Sequence, residues 1–267
     1  MTPVEIMRGE GPVILGQPHG GTWLPEGLMA RLNDNGRLLA DTDWHITRLY
    51  EGLLPDATVV RATVHRYAID ANRDPAGASL YPGQNTTGLC PLTDFDGATI
   101  WQAGQEPDAA EGEARRAAYH APYHKALAEE IERVKARHGV AILFDCHSIR
   151  SHIPFLFPGT LPVFSIGTNG GQTCAPAITD LVVAEARRDQ HHDWVLDGRF
   201  KGGWTTRHYG RPETGIHAIQ MELAQRAYLK EEAAPWAYDD HRAARLRATL
   251  RAILEKLDHL ARSGALS

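Results

Sequence analysis

Apolar and small residues run unbroken from Val140 to Phe144, and the chain then presents Asp145, Cys146, His147, Ser148, Arg150 and His152 in quick succession. Four other short runs have a similar apolar density: PVILGQ at 12–17, ATVVRATV at 57–64, PVFSIG at 162–167 and HAIQMEL at 217–223. Runs of this length predict strands buried on both faces. Between them the period changes. Leu127, Ile131 and Val134 share one face of a helix within 111–137 that Pro122 starts or kinks. Leu246, Leu250, Ile253, Leu257 and Leu260 form a second stripe, and Ile46, Leu49 and Leu53 a short third one. Doubly buried strands alternating with amphipathic helices predict an α/β fold with a mainly parallel or mixed central sheet covered on both sides. Ligands of such folds gather beyond the carboxyl ends of the strands.

No repeat or long linker divides the chain, so residues 1–267 are expected to form a single catalytic domain. The Gly-, Pro- and Thr-rich stretch 74–110 is expected as an excursion over an active-site mouth. Composition narrows the function classes. A net charge of −5 with acids and bases interspersed offers no basic stripe for nucleic acid. No apolar run approaches the roughly 18 residues that would span a bilayer, and the N-terminus lacks signal-peptide features, so a cytoplasmic location is expected. Cys90, Cys146 and Cys174 are odd in number and lack metal-knuckle spacing. Fourteen histidines direct attention to imidazole chemistry.

Several strand-like runs end in such chemistry. PVILGQ leads into PHGGTWLPE with His19, VAILFD into CHSIRSH with His147, and HAIQMEL carries Glu222. Two further clusters are DTDWH, with Asp41 and Asp43, and HRYAIDANR, with Arg66, Asp70, Asn72 and Arg73. Each residue has an ordinary alternative: a turn histidine for His19, a core histidine for His147, surface ion pairs for the arginines. Asp43 competes with helix capping, a role that Asp41 could take instead. Gly20 and Gly21 suggest close approach of backbone or substrate beside His19. Asp145 lies on the same side of an extended chain as His147 and could orient its ring. Two histidines and a carboxylate leave an open position on zinc, the arrangement of a hydrolytic centre. Glu222 could accept the proton of the attacking water. Arg66 and Arg73 could divide oxyanion stabilisation and carboxylate binding. A nucleophile at Cys146 is the weaker alternative, because its thiol should point away from His147.

PHGGTWLP, DTDWHITRLY, HRYAIDANR, YPGQNTTGLCP, YHAPYHKAL, FDCHSIRSHIP, GRFKGGWTTRHYG and HAIQMELAQRAY, in this order, closely resemble the N-formylglutamate amidohydrolase (N-formylglutamate deformylase) family of bacterial histidine degradation. That family is related to zinc carboxypeptidases and aspartoacylase. The resemblance covers about residues 10–255. It implies a three-layer α/β/α, phosphorylase/hydrolase-like fold and hydrolysis of a linear amide, N-formyl-L-glutamate, to L-glutamate and formate with one Zn²⁺. By position, His19 and His147 match the histidine ligands. The carboxypeptidase pattern has a glutamate where this chain has Thr22, so the carboxylate ligand is Asp43 or, as the weaker candidate, Glu26. Asn72 and Arg73 match the pair that grips a substrate carboxylate, Arg66 the carbonyl-polarising arginine and Glu222 the general base. Arg150, Lys201, Arg207 and His208 are candidates for the other carboxylate of a small dianionic substrate. Two alternatives stay open: another N-acyl-amino-acid deacylase or carboxypeptidase on the same scaffold, and a metal-binding or recognition module without turnover.

Overall fold

The computed structural model of the chain describes residues 2–79 and 83–266. Among these residues the strands are β1 (Val4–Met7), β2 (Val13–Gln17), β3 (Thr58–Ala62), β4 (Ala141–Ile149), β5 (Phe164–Gly167), β6 (Trp194–Leu196) and β7 (Ile216–Ala224). The α-helices are α1 (Leu28–Arg31), α2 (Ile46–Tyr50), α3 (Ala109–Arg115), α4 (Ala121–His138), α5 (Pro176–Arg188), α6 (Trp204–Tyr209) and α7 (Asp240–Arg262). All seven strands join one sheet in the order β1-β3-β2-β4-β7-β5-β6. The central four, β3, β2, β4 and β7, are parallel, while β1 and the β5–β6 pair run the other way. The sheet is therefore mixed and mainly parallel at its centre.

Period-2 alternation divides the core. Ile14 of β2, Ala141 and Leu143 of β4 and Ala218 of β7 pack under α4, against Leu127, Ile131 and Val134. Their neighbours Val13, Leu15, Ile142, Phe144 and Ile219 face the opposite layer, where α7 contributes Leu246, Leu250, Ile253 and Leu257. The stretches of β2, β4 and β7 between these layers carry apolar residues at successive positions because both faces are covered. Pro122 stands in the first turn of α4, where its missing N–H costs nothing, and a π-helical turn, Arg116–His120, joins that helix to α3. The expected third helix ends at Tyr50, leaving buried Leu53 in the following turn. Strands β1 and β6 had no apolar signal to announce them. They lie at the two edges of the sheet, and β1 is half exposed.

The segment from Val140 holds a further difference. The apolar run stops at Phe144, but β4 continues through Asp145, Cys146, His147 and Ser148 to Ile149, paired throughout with β7. On its other side β4 outruns β2, whose last register partner is Gly16 opposite Asp145. The final residues of β4 thus have a sheet partner on one side only. Beyond Ala141, Leu143 and Ala218 the same face of β4 and β7 carries Asp145, His147, Gln220 and Glu222, and helix α6 covers it where α4 no longer does. Polar chemistry begins where one strand ends and its neighbours continue.

The 74–110 stretch follows β3 and runs into the first residues of α3. Its Leu80, with Tyr81 and Pro82 of the YPGQNTTGLCP motif, lies outside the described residues. Part of the stretch is core: Ile100 and Trp101 pack with Leu28, Leu32 and Tyr67. Gly20 and Gly21 make room for protein. A Cβ on Gly20 would lie 2.7 Å from the Ile46 side chain, and one on Gly21 would lie 2.4 Å from the Thr63 carbonyl. Gly21→Ala should therefore cost about 1–3 kcal/mol in urea unfolding. Gly112→Ala, whose added methyl meets only the Cys90 sulfur at 3.9 Å within a helix, should instead stabilise by about 0.5–1 kcal/mol. Equal effects of the two substitutions would contradict this packing.

Candidate active site

His19 sits on the turn after β2, and its backbone carbonyl accepts the N–H of Asp43 at 3.1 Å. That bond draws the DTDWH segment across the end of β2. Neither Asp43 nor Asp41 caps α2. The N-cap position is His45, in the left-handed region, and it makes no side-chain cap. Asp43 is buried, and its Oδ2 accepts the backbone N–H of Ser148 at 3.0 Å, a donor on the part of β4 that β2 does not reach. The same oxygen lies 3.5 Å from His147 Nδ1 and 3.9 Å from His19 Nδ1. Ligating atoms of His19, Asp43 and His147 all lie within 4.8 Å of one another. Asp41 instead accepts the Phe95 N–H at 2.9 Å and lies 3.7 Å from Arg150. Glu26 is exposed on the turn before α1 and lies outside the His19–Asp43–His147 group.

Each histidine is turned by a carboxylate behind it. His19 Nε2 donates to Asp70 Oδ1 at 2.7 Å, which leaves the Nδ1 lone pair facing Asp43. His147 Nε2 lies 3.0 Å from Asp145 Oδ1, so its Nδ1 faces Asp43 as well. Carboxylate partners of this kind fix tautomer and ring direction in metal-ligating histidines. Asp70 also accepts from Arg66 Nη2 at 2.7 Å and from the Asn72 N–H at 2.8 Å. Asp145 Oδ2 accepts from Thr206 Oγ1 at 2.8 Å. Glu222 is the register partner of His147 on β7, and Gln220 Nε2 donates to its Oε2 at 3.3 Å. Cys146 is buried in the opposite layer, facing away from His147.

Four buried carboxylates, Asp43, Asp70, Asp145 and Glu222, meet two guanidinium groups, Arg66 and Arg73. The cluster is two positive charges short. Its titration reflects this. Burial pushes Glu222 up to about 8, with Asp43 adding to the rise against the pull of His147. Burial alone would lower His147, but Asp145, Asp43 and Glu222 hold it well above the ordinary imidazole value. Burial would likewise raise Asp70, yet Arg66, Arg73 and His19 keep it well below the usual carboxylate range. Burial and Arg66 lower His19. Protons are retained where positive charge is lacking, and a divalent cation at the three ligating atoms would supply it. Two imidazoles and one carboxylate suit zinc.

These residues line one cavity that opens to solvent. Arg66, Asn72, Arg73 and Glu222 all reach it. Arg66 stacks over the Phe95 ring at 4.6 Å. Arg73 donates through Nε and Nη2 to the carbonyl and hydroxyl of Thr87. Two histidines of the YHAPYHKAL motif brace the Asn72–Arg73 pair from behind: His124 Nε2 donates to the Ala71 carbonyl at 2.7 Å, and His120 Nε2 to that of Arg73 at 3.0 Å. The four residues expected at the second carboxylate do not line the cavity. Arg150 turns to Asp96 at 2.7 Å, Arg207 donates to the Gly202 carbonyl, His208 stacks on Trp204, and Lys201 is exposed. The arginine of that region which does line it is Arg199.

The sequence placed Asp70 in a cluster without a role, and it passed over Gln220, Thr206 and Arg199. Gln220 was findable, since strand alternation puts it on the face of Glu222. Thr206 and Arg199 belong to a loop and the helix it enters, where no periodicity marks a direction.

The family model for N-formylglutamate amidohydrolase matches residues 11–229. The chain is 45% identical over 255 residues to N-formylglutamate deformylase of Pseudomonas aeruginosa, covering 95% of each chain. To the deformylase of Pseudomonas putida it is 40% identical over 251 residues, covering 94% of this chain and 93% of that one. The crystal structure of N-formylglutamate amidohydrolase from Ralstonia eutropha JMP134 superposes with a TM-score of 0.80 at 27% identity, over 99% of this chain and all of the other.

Thr206→Val keeps side-chain shape but strips a buried carboxylate oxygen of its donor. Urea unfolding should show a loss of about 1–3 kcal/mol with an unchanged slope. An unaltered midpoint would show that Asp145 does not depend on this bond.

Proposed function

The chain belongs to the N-formylglutamate amidohydrolase family, and on that premise we propose that it is a metal-dependent amidohydrolase releasing formate and L-glutamate from N-formyl-L-glutamate. The observation that carries the reading is the buried His19–Asp43–His147 group with Glu222 beside it, all lining one cavity. In this reading His19, Asp43 and His147 hold one divalent cation, most simply Zn²⁺, which supplies Lewis acidity at the formyl oxygen and lowers the pKa of water.

The remaining work belongs to the protein's own side chains. Glu222 takes the proton of the attacking water and passes it to the amine nitrogen as the C–N bond breaks. A cation at the triad favours the ionised form of Glu222, the form that can accept that proton. Arg66, fixed by Asp70, faces the oxyanion that develops on the formyl oxygen. Asn72 and Arg73 hold one substrate carboxylate, and their backbone is kept in place by His120 and His124. Gln220 orients the Glu222 carboxylate.

Chelation should abolish formate release and zinc should restore it; full turnover by protein shown to be metal-free would refute the proposal. Asp43→Ala should lose the metal and Glu26→Ala should keep it, and the reverse would reassign the ligand. Asp70→Asn should weaken metal binding about 10–100-fold through misdirection of His19.

Base and carboxylate grip can be tested against each other. Glu222→Gln should retain metal and substrate affinity while kcat falls about 10²–10⁴-fold. Arg73→Ala should raise KM more than it lowers kcat, with Arg73→Lys a poor rescue because an ammonium lacks the guanidinium fork. A swapped pattern, with Glu222→Gln weakening binding and Arg73→Ala slowing chemistry at saturation, would exchange the two roles.

A further inference from the structure

Among the described residues, three guanidinium groups reach the cavity: Arg66, Arg73 and Arg199. Arg66 is taken up at the catalytic end by Asp70. Arg73 stands beside Asn72 and fastens Thr87. Arg199 lies on the loop between β6 and α6, where its Nε donates to the Leu156 carbonyl at 2.9 Å and its Nη2 to the Asn85 carbonyl at 3.0 Å. Asn85 Nδ2 in turn donates to the Phe155 carbonyl at 2.8 Å. Two loops and the arginine are therefore stitched together, and the fork is held at the cavity wall by main-chain acceptors. Ile149, Leu156 and Phe200 supply apolar surface to the same wall. A substrate anchored at Asn72 and Arg73 with its formyl group at the catalytic end has one arm left over, a short methylene chain ending in a carboxylate. An apolar wall that carries a fixed guanidinium complements that arm in shape and charge.

The geometry points to Arg199 as the specificity residue for the distal carboxylate of the substrate, an inference that rests on the proposed deformylase reading. It takes the place of Arg150, Lys201, Arg207 and His208, whose side chains do not line the cavity. Because the fork is already fixed by two carbonyls, little ordering is needed when the carboxylate arrives, and discrimination is concentrated in one charge-assisted contact. The neutral amide of a glutamine side chain has nearly the same size but offers the guanidinium no anion.

The test pairs turnover with binding. Formate release is measured on N-formyl-L-glutamate and N-formyl-L-glutamine for the wild-type holoenzyme, Arg199→Met and Arg199→Lys. L-glutamate and L-glutamine are titrated calorimetrically into the same proteins. The wild type should prefer the glutamate derivative by about 10²-fold in kcat/KM, mainly through KM. Arg199→Met should bring that ratio close to unity, and Arg199→Lys should recover only part of it. Circular dichroism checks that the variants fold, and the wild-type ratio needs no variant at all. A wild type with no preference for glutamate in either measurement overturns the assignment. An Arg199→Met variant that loses both substrates equally also overturns it, since the arginine then serves only to fasten the loops. Binding that prefers glutamate and loses the preference in Arg199→Met, with no formate released from either substrate, would sustain the Arg199 site while rejecting the deformylase reading.

Discussion

The site depends on one buried carboxylate. Asp70 is fully inaccessible to solvent, and it accepts hydrogen bonds from His19, Arg66 and the backbone of Asn72, with Arg73 3.7 Å away. An ionised acid so deeply buried costs several kcal/mol unless its lone pairs are filled and its charge is balanced. Each group that balances it is also one to which the proposed reaction assigns a role. The requirement that Asp70 be satisfied thus fixes the tautomer of His19, the direction of Arg66 and the turn that presents Asn72 and Arg73. Loop residues separated by fifty positions are held in register by one ion rather than by secondary structure.

A second constraint closes the site from the other side. At the start of α6, three consecutive hydrogen-bonding contacts reach three different parts of the centre. The Gly203 N–H donates to Gln220, the Thr205 N–H to Asn72 Oδ1 and Thr206 Oγ1 to Asp145. Through these partners one turn of chain reaches the neighbour of Glu222, the side chain of Asn72 and the carboxylate beside His147. Gly203 must lack a side chain, since a Cβ there would come within 2.2 Å of the Asn72 amide. The same segment carries Arg199 four residues earlier. The arginine proposed for recognition and the contacts to Gln220, Asn72 and Asp145 are accordingly built on one continuous stretch of backbone.

What was legible in the sequence follows from this division. Residues borne by the sheet could be read, because alternation along β4 and β7 gives direction: Asp145 with His147, Gln220 with Glu222, and Cys146 to the far side. The apolar runs announced the five strands that both layers cover, whereas β1 and β6 at the edges had no need of such runs. Loop-borne residues were legible only as types in clusters. Asp43 could be suspected, but the choice between capping and facing the histidines turned on whether β4 outruns β2, a matter of relative strand length that local propensity does not encode. Arg150, which was singled out, and Arg199, which was not, are alike in sequence as single charges in turn-rich segments. Which one enters the cavity is decided by partners distant in sequence, Asp96 for the first and the Leu156 and Asn85 carbonyls for the second.

The deficit of positive charge connects these two constraints to reactivity. A cluster of four acids and two guanidiniums is not at rest in its own field, and it relieves the strain by holding protons on Glu222 and His147. In the proposed reaction those are the groups that have to be deprotonated, Glu222 as the base and His147 as a ligand. A dication held there would supply the missing charge and favour the deprotonated forms of both side chains. Asp70 lies behind His19, with its oxygens taken up by His19, Asn72 and Arg66, and Asp145 lies behind His147, with Oδ2 bonded to Thr206 and Oδ1 3.0 Å from the ring. Among the described residues, His19, Asp43 and His147 are the group whose ligating atoms converge closely enough to hold such a cation.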